Sequence, residues 1–186
     1  MNELVRRAGR GTDATGALVI WSVAEGRRGR RWREVRSSAS GGLVSSLLLE
    51  TEPGGRLSHT EFGTGVGLLT LHPEADGTLN GNVVTADGIE HIAGLPWDPD
   101  GVLLVEGSTI AAAAAAHGLR RAIESGTAAS RSAAFVDLAL AVQLADVTIE
   151  RLGEDTWRLG SAGEIAVDGD GLPLLTGARI WPLEAE

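Results

Sequence analysis

The sequence predicts a mainly-β protein: a single antiparallel β-roll or barrel-like sheet with one short alanine-rich helix. Three observations carry this. Five Asp-Gly dipeptides (Asp76-Gly77, Asp87-Gly88, Asp100-Gly101, Asp168-Gly169, Asp170-Gly171) supply tight reversals, because glycine reaches positive φ freely and aspartate tolerates it. Between the turns lie short runs of two-residue apolar rhythm, recurring about every 8–12 residues as in a roll, barrel or sandwich rather than in βαβ units. Only one stretch, Ala111 to Ala116, offers strong helix formers.

Residues 1–16, with Gly9, Gly11 and Gly16, read as a flexible lead-in, and 17–186 as a single β-roll domain. The first strand is expected over 17–23 and pairs with 31–36 across an arginine-glycine turn. The run 43–51 is apolar on both faces, the pattern of a buried strand. Pro53-Gly54-Gly55 then turns the chain, proline presetting φ and glycine taking the positive-φ position. Strands follow over 56–62, 67–72, 78–85, 89–92 and 102–106.

A helix is expected over 109–125, capped by Ser108 or Thr109 and ended by Gly126, with Gly118 an internal cost of about 1 kcal/mol. Its alanine surface permits a sheet to approach closely, so it plugs or flanks the roll. Residues 126–132 read as a loop, and 135–144 fit helix or strand equally. Clear alternation returns at Val147, Ile149 and Arg151, at Trp157 and Leu159, and at Ile165 and Val167; 172–181 closes the meander.

Composition narrows the function classes. The 186 residues carry a net charge of −9, which argues against non-specific nucleic-acid binding. Cysteine is absent, excluding disulfides and thiolate chemistry. No apolar run is long enough to span a membrane and no apolar core follows the polar start, so a cytoplasmic bacterial protein is expected. Arg27, Arg28, Arg30, Arg31, Arg33 and Arg36 crowd around Trp32. Charge runs of this kind are commonly solvated; the sharper reading is an anion site.

The tail V-T-I-E-R-L-G-E-D-T-W-R-L, E-I-A-V-D-G-D-G-L-P-L-L and W-P-L resembles the end of a bacterial family named for glycolipid binding. The resemblance is carried by Ile149 to Leu152, Trp157 and Val167 to Leu172, and is best over 147–182. Gly118-Leu119-Arg120-Arg121 falls where that family has a leucine/isoleucine-arginine-arginine segment. The family's preceding Asn-Thr-Leu-Pro and its Gly-Cys-x-Asp-x-Asp element are absent here. The resemblance implies a spiral β-roll and non-enzymatic binding of a lipid or glycolipid.

The expected function is therefore binding of a lipid, glycolipid or other amphipathic small molecule in a β-roll cavity or groove, with no cofactor. Trp21, Trp32 and Trp97 are the expected apolar or stacking contacts, and Arg120 and Arg121 the contacts to an anionic or sugar head group. The alternative is a metal-dependent enzyme. His59 and Glu61 leave one face of a strand, and His72 and His91 lie on later strands, a donor set suited to zinc or iron. Against it, no His-x-His pair exists, and strand histidines are commonly hydrogen-bonded to partners. A third reading is a structural homo-oligomer, such as a homodimer through a sheet edge.

Other motifs fall away on chemistry. Asp168 to Gly171 lacks the ligand ladder of a calcium loop. Gly63 to Gly67 lacks the lysine and helix of a phosphate loop. Gly107-Ser108 lacks a nucleophile elbow. A carboxylate pair such as Glu50 and Glu61 needs a cleft to raise one pKa.

Overall fold

A computed structural model describes residues 5–182; 1–4 of the expected lead-in and 183–186 lie outside it. The strands are β1 (Arg6–Thr12), β2 (Leu18–Gly26), β3 (Gly29–Ser37), β4 (Leu43–Thr51), β5 (Leu57–Thr64), β6 (Gly67–Pro73), β7 (Thr78–Thr85) and β8 (Gly88–Pro96). After β9 (Val102–Val105) come the helix α1 (Thr109–Leu119), β10 (Thr127–Val136), β11 (Val142–Arg151), β12 (Thr156–Leu159), β13 (Glu164–Ala166) and β14 (Thr176–Pro182). The mainly-β expectation with one helix holds. Nine strands form an antiparallel sheet in the order β14-β1-β2-β3-β4-β5-β6-β7-β8, and five form a second sheet, β13-β12-β11-β10-β9.

Alternation decides which side chains meet the core. On β3, Arg30, Trp32, Glu34 and Arg36 are buried while Arg31, Arg33 and Val35 are exposed. Leu47 and Leu49 of β4, Phe62 of β5, and Leu69 and Leu71 of β6 continue the inner face. One apolar cluster joins these residues to Ile149, Trp157 and Leu159 of the second sheet and to α1.

Ala111 to Ala116 are all buried, so α1 is enclosed on every side. It packs against β3 of the first sheet and against β9 and β13 of the second. Its N-terminus is doubly capped. The Ser108 hydroxyl accepts from the Ala111 N–H at 3.0 Å. Glu34 Oε2 accepts from the Thr109 and Ile110 N–H groups, both at 3.0 Å, and from the Thr109 hydroxyl at 2.7 Å. A carboxylate here satisfies orphan donors and the positive helix end together.

Several elements differ from the sequence expectation. The lead-in contains β1, paired with both β2 and β14. Its glycines are required rather than loose, since a side chain on Gly9 would overlap the Trp21 ring. The helix stops at Leu119 instead of 125; beyond it Arg151 donates to the Arg120 and Ile123 carbonyls, both at 3.3 Å. The expected loop 126–132 and ambiguous 135–144 become β10 and β11, registered from Thr127↔Arg151 to Val136↔Val142. Pairing is not antiparallel throughout, either. β9 and β10 are parallel, with α1 as the crossover between them.

Candidate functional site

A cavity of about 460 Å³ opens between the β4–β5 hairpin, the C-terminal half of α1 and the segment entering β9. Leu49, Leu57, Val102, Leu103, Ala115 and Leu119 give it apolar walls. Local sequence explains its shape. The turn at Gly55 lies directly against Gly118 of α1, and a Cβ on Gly118 would stand 3.0 Å from the Gly55 carbonyl oxygen. The glycine that looked like a helix defect lets hairpin and helix touch. The neighbouring alanines keep the helix face flat, leaving open the volume that larger side chains would fill.

Polar groups converge on the same cavity. Arg56 and Asp100 both line it and pair at 3.0 Å, joining the hairpin to the loop before β9. Arg121 and Arg131 also line it, as does Glu52. Thr51 lines the inner wall, and its hydroxyl accepts from the Trp32 indole N–H at 3.2 Å. A smaller recess of about 360 Å³ shares Asp100 and Arg131 and adds Asp98, Asp146, Ser130 and Ser132.

Arg27, Arg28, Arg31 and Arg33 are exposed, as the solvated reading expects, whereas Arg30 and Arg36 are buried and depart from it. Arg36 is buried and pairs with Asp13 at 2.8 Å, both side chains being nearly inaccessible. Burial works to raise the Asp13 pKa, but hydrogen bonds from Thr15, Arg36 and the Ala17 backbone outweigh it and hold the group below its ordinary range. Burial pushes Glu34 up, opposed by Thr109, Ile110, Ser108 and the Arg36 charge. Arg30 is buried too. It pairs with Glu25 at 3.2 Å, donates to the Asp170 carbonyl and lies 5.6 Å from the Trp32 ring centre. These interior charges are held by partners, as burial demands.

At the C-terminal end of α1, His117 packs beside Trp32, with ring centres 5.8 Å apart, and its Nδ1 faces Arg30 at 3.5 Å. Burial first, and then the Arg30 charge, depress its pKa to about 4, with Glu25 opposing and Arg120 and Arg121 adding to the fall.

The structure gathers few of the residues singled out from sequence. Arg121 lines the cavity. Arg120 points away, donating to the Gly169 carbonyl. Trp21, Trp32 and Trp97 are buried, and none of them lines the cavity; Trp32 reaches it through Thr51. The histidines stay apart from one another in their contacts. His59 pairs with Glu61 at 3.2 Å, His72 with Glu74 at 3.1 Å, and His91 with Asn82 at 2.6 Å. Among the described residues no three His, Cys, Asp or Glu side chains come together to hold a metal ion. Glu50 is held by Arg31. Arg56, Asp100 and Arg131 were invisible as a group. They come from three separate segments, and Arg131 lay in a stretch read as loop.

No protein-family model matches the chain, and no curated protein matches it. Among solved structures, the chain is similar to the crystal structure of a DUF1089 family protein from Pseudomonas aeruginosa. The TM-score is 0.54 at 19% sequence identity, over 83% of this chain and 86% of that one. No helix among the described residues is long and apolar enough to cross a membrane. What the likeness establishes is a shared fold, a mainly-β chain curled around one short helix.

Proposed function

We propose that this protein binds an amphipathic small molecule, holding its apolar part in the cavity between the β4–β5 hairpin, α1 and β9. The observation that carries the reading is the cavity itself. Its volume lies in the usual range for small-molecule sites, and aliphatic side chains share its lining with convergent polar and charged groups. A lipid or glycolipid is the finer reading, supported by the resemblance of the tail. That tail supplies most of β11, with β12 and β13, to the second sheet and β14 to the first, with Ile149, Trp157, Val167 and Leu172 all buried, so it supports the kinship through the fold and not through ligand contacts. Arg121 is the residue of the original set that we assign to the ligand directly. Trp32 acts by orienting Thr51.

Native mass spectrometry of protein purified from cells, followed by organic extraction, tests this. A bound species of lipid-like mass, released by extraction without unfolding the protein, is the expected result. An unliganded protein that also fails to take up added amphiphile overturns it. The homodimer reading has one observation in its favour: β8 is a sheet edge, paired only with β7 and exposed along nearly its whole length. The same spectrum reports subunit count, and a solely monomeric species removes that reading.

A further inference from the structure

The charged groups at the cavity sort into two kinds, and the sorting selects a head group. Arg56 is already committed, since its Nε and Nη2 both lie 3.0 Å from Asp100 Oδ1. Arginine ion pairs among the described residues involve Arg30, Arg31, Arg36, Arg56 and Arg158. Arg121 and Arg131 have none, although both line the cavity. Arg131 is the more telling of the two. Its Nη1 donates to the Ser130 carbonyl, while its Nε is buried without any acceptor. That Nε, like those of Arg30 and Arg151, is shut off from solvent and so from a ligand, which leaves the Arg131 Nη2, with no acceptor among the described residues, to donate a charge-assisted hydrogen bond to an oxyanion in the cavity.

The neighbouring recess limits how much negative charge the site tolerates. Asp98, Asp100 and Asp146 share it with Arg131, and Glu52 stands on the cavity wall. A second negative charge on the ligand would meet like charge from these solvent-exposed carboxylates. Resting on the amphiphile-binding reading above, we infer that the cavity selects an amphiphile whose head carries a single negative charge, with Arg131 and Arg121 as the specificity-determining residues. A fatty-acid carboxylate and a phosphodiester lipid share this chemistry.

The test is isothermal titration calorimetry on delipidated protein with four dodecyl-chain probes below their micelle concentrations. These are dodecanoate, lauroyl lysophosphatidylglycerol, dodecyl maltoside and dodecyltrimethylammonium. At least one of the two anionic probes is expected to bind about tenfold or more tighter than dodecyl maltoside, one charged hydrogen bond's worth. The tighter of the two names the source of the oxyanion. Arg121→Gln with Arg131→Gln should abolish the preference of the anionic probes over dodecyl maltoside. The Arg→Lys pair, which keeps the charge, should retain much of it and guards against a folding defect. Equal affinity for all four heads overturns the inference and leaves the cavity reading intact. A preference that survives the glutamine pair overturns the assignment of these arginines. No binding by any probe overturns the cavity reading as well.

Discussion

At the scale of single residues, the unusual feature is how much charge lies inside a small sheet protein. Arg30, Glu34 and Arg36 alternate with Trp32 on the inner face of one strand, each answered by a specific partner. His117 is the group whose protonation the fold resists most clearly. The unfolded chain protonates this imidazole below its ordinary pKa of 6.5, the folded chain only near 4. The folded state therefore binds fewer protons in that window, and stability falls as pH drops from 6.5 toward 4, by at most about 3 kcal/mol for a partly accessible ring. Glu34 acts in the opposite sense. Its raised pKa lets the folded state take up a proton before the unfolded chain does, a contribution present at low pH and lost as pH rises. A difference curve isolates the histidine. From urea unfolding between pH 4 and 7, the stability of wild type minus that of His117→Gln should rise with pH; a difference that does not change with pH would mean that His117 is not held neutral by its surroundings.

At the scale of elements, the contact between α1 and the β4–β5 hairpin is the joint that shapes the cavity. Replacing a helical glycine by alanine ordinarily stabilises by about 1 kcal/mol. Here the added methyl meets the Gly55 carbonyl oxygen at 3.0 Å, closer than carbon and oxygen pack without one of them moving. Gly118→Ala is expected to lower the unfolding free energy by about 1 kcal/mol in a urea titration. A net gain would show that hairpin and helix are not in close contact. The same joint shows what the sequence could and could not convey. The Asp-Gly turns and the alternation at Trp157 and Leu159 mark strands on their own. β1 is nearly silent, because Arg6, Arg7, Gly9, Arg10 and Gly11 look like loop until the Trp21 ring is placed over them. β10 is equally quiet, because after Thr127 its alanines, serines and Arg131 give no strand signal before Phe135 and Val136. Gly118 reads as a blemish in a helix because the partner that requires it, Gly55, is far away in the chain.

At the scale of the whole molecule, two apolar regions compete for the role of binding surface. One is the cavity beside the β4–β5 turn. The other is a row on the outer face of the nine-stranded sheet, where Ile20 pairs with Val35, and Leu68 with Val84 and Val84 with Ile89, all partly exposed. The row lies at the strand ends near the β3–β4 and β5–β6 connections, whereas the cavity adjoins the opposite β4–β5 turn. Exposed apolar side chains on the outer face of a sheet are ordinary, whereas the cavity offers enclosing walls, which favours the ligand there. The most direct discrimination is a 1H–15N chemical-shift map recorded while dodecanoate is titrated into isotope-labelled protein. Perturbations centred on Leu57, Leu103, Ala115, Leu119 and Arg121 are the predicted result. Shifts confined to Ile20, Val35, Leu68 and Val84, or no shifts at all, would contradict it.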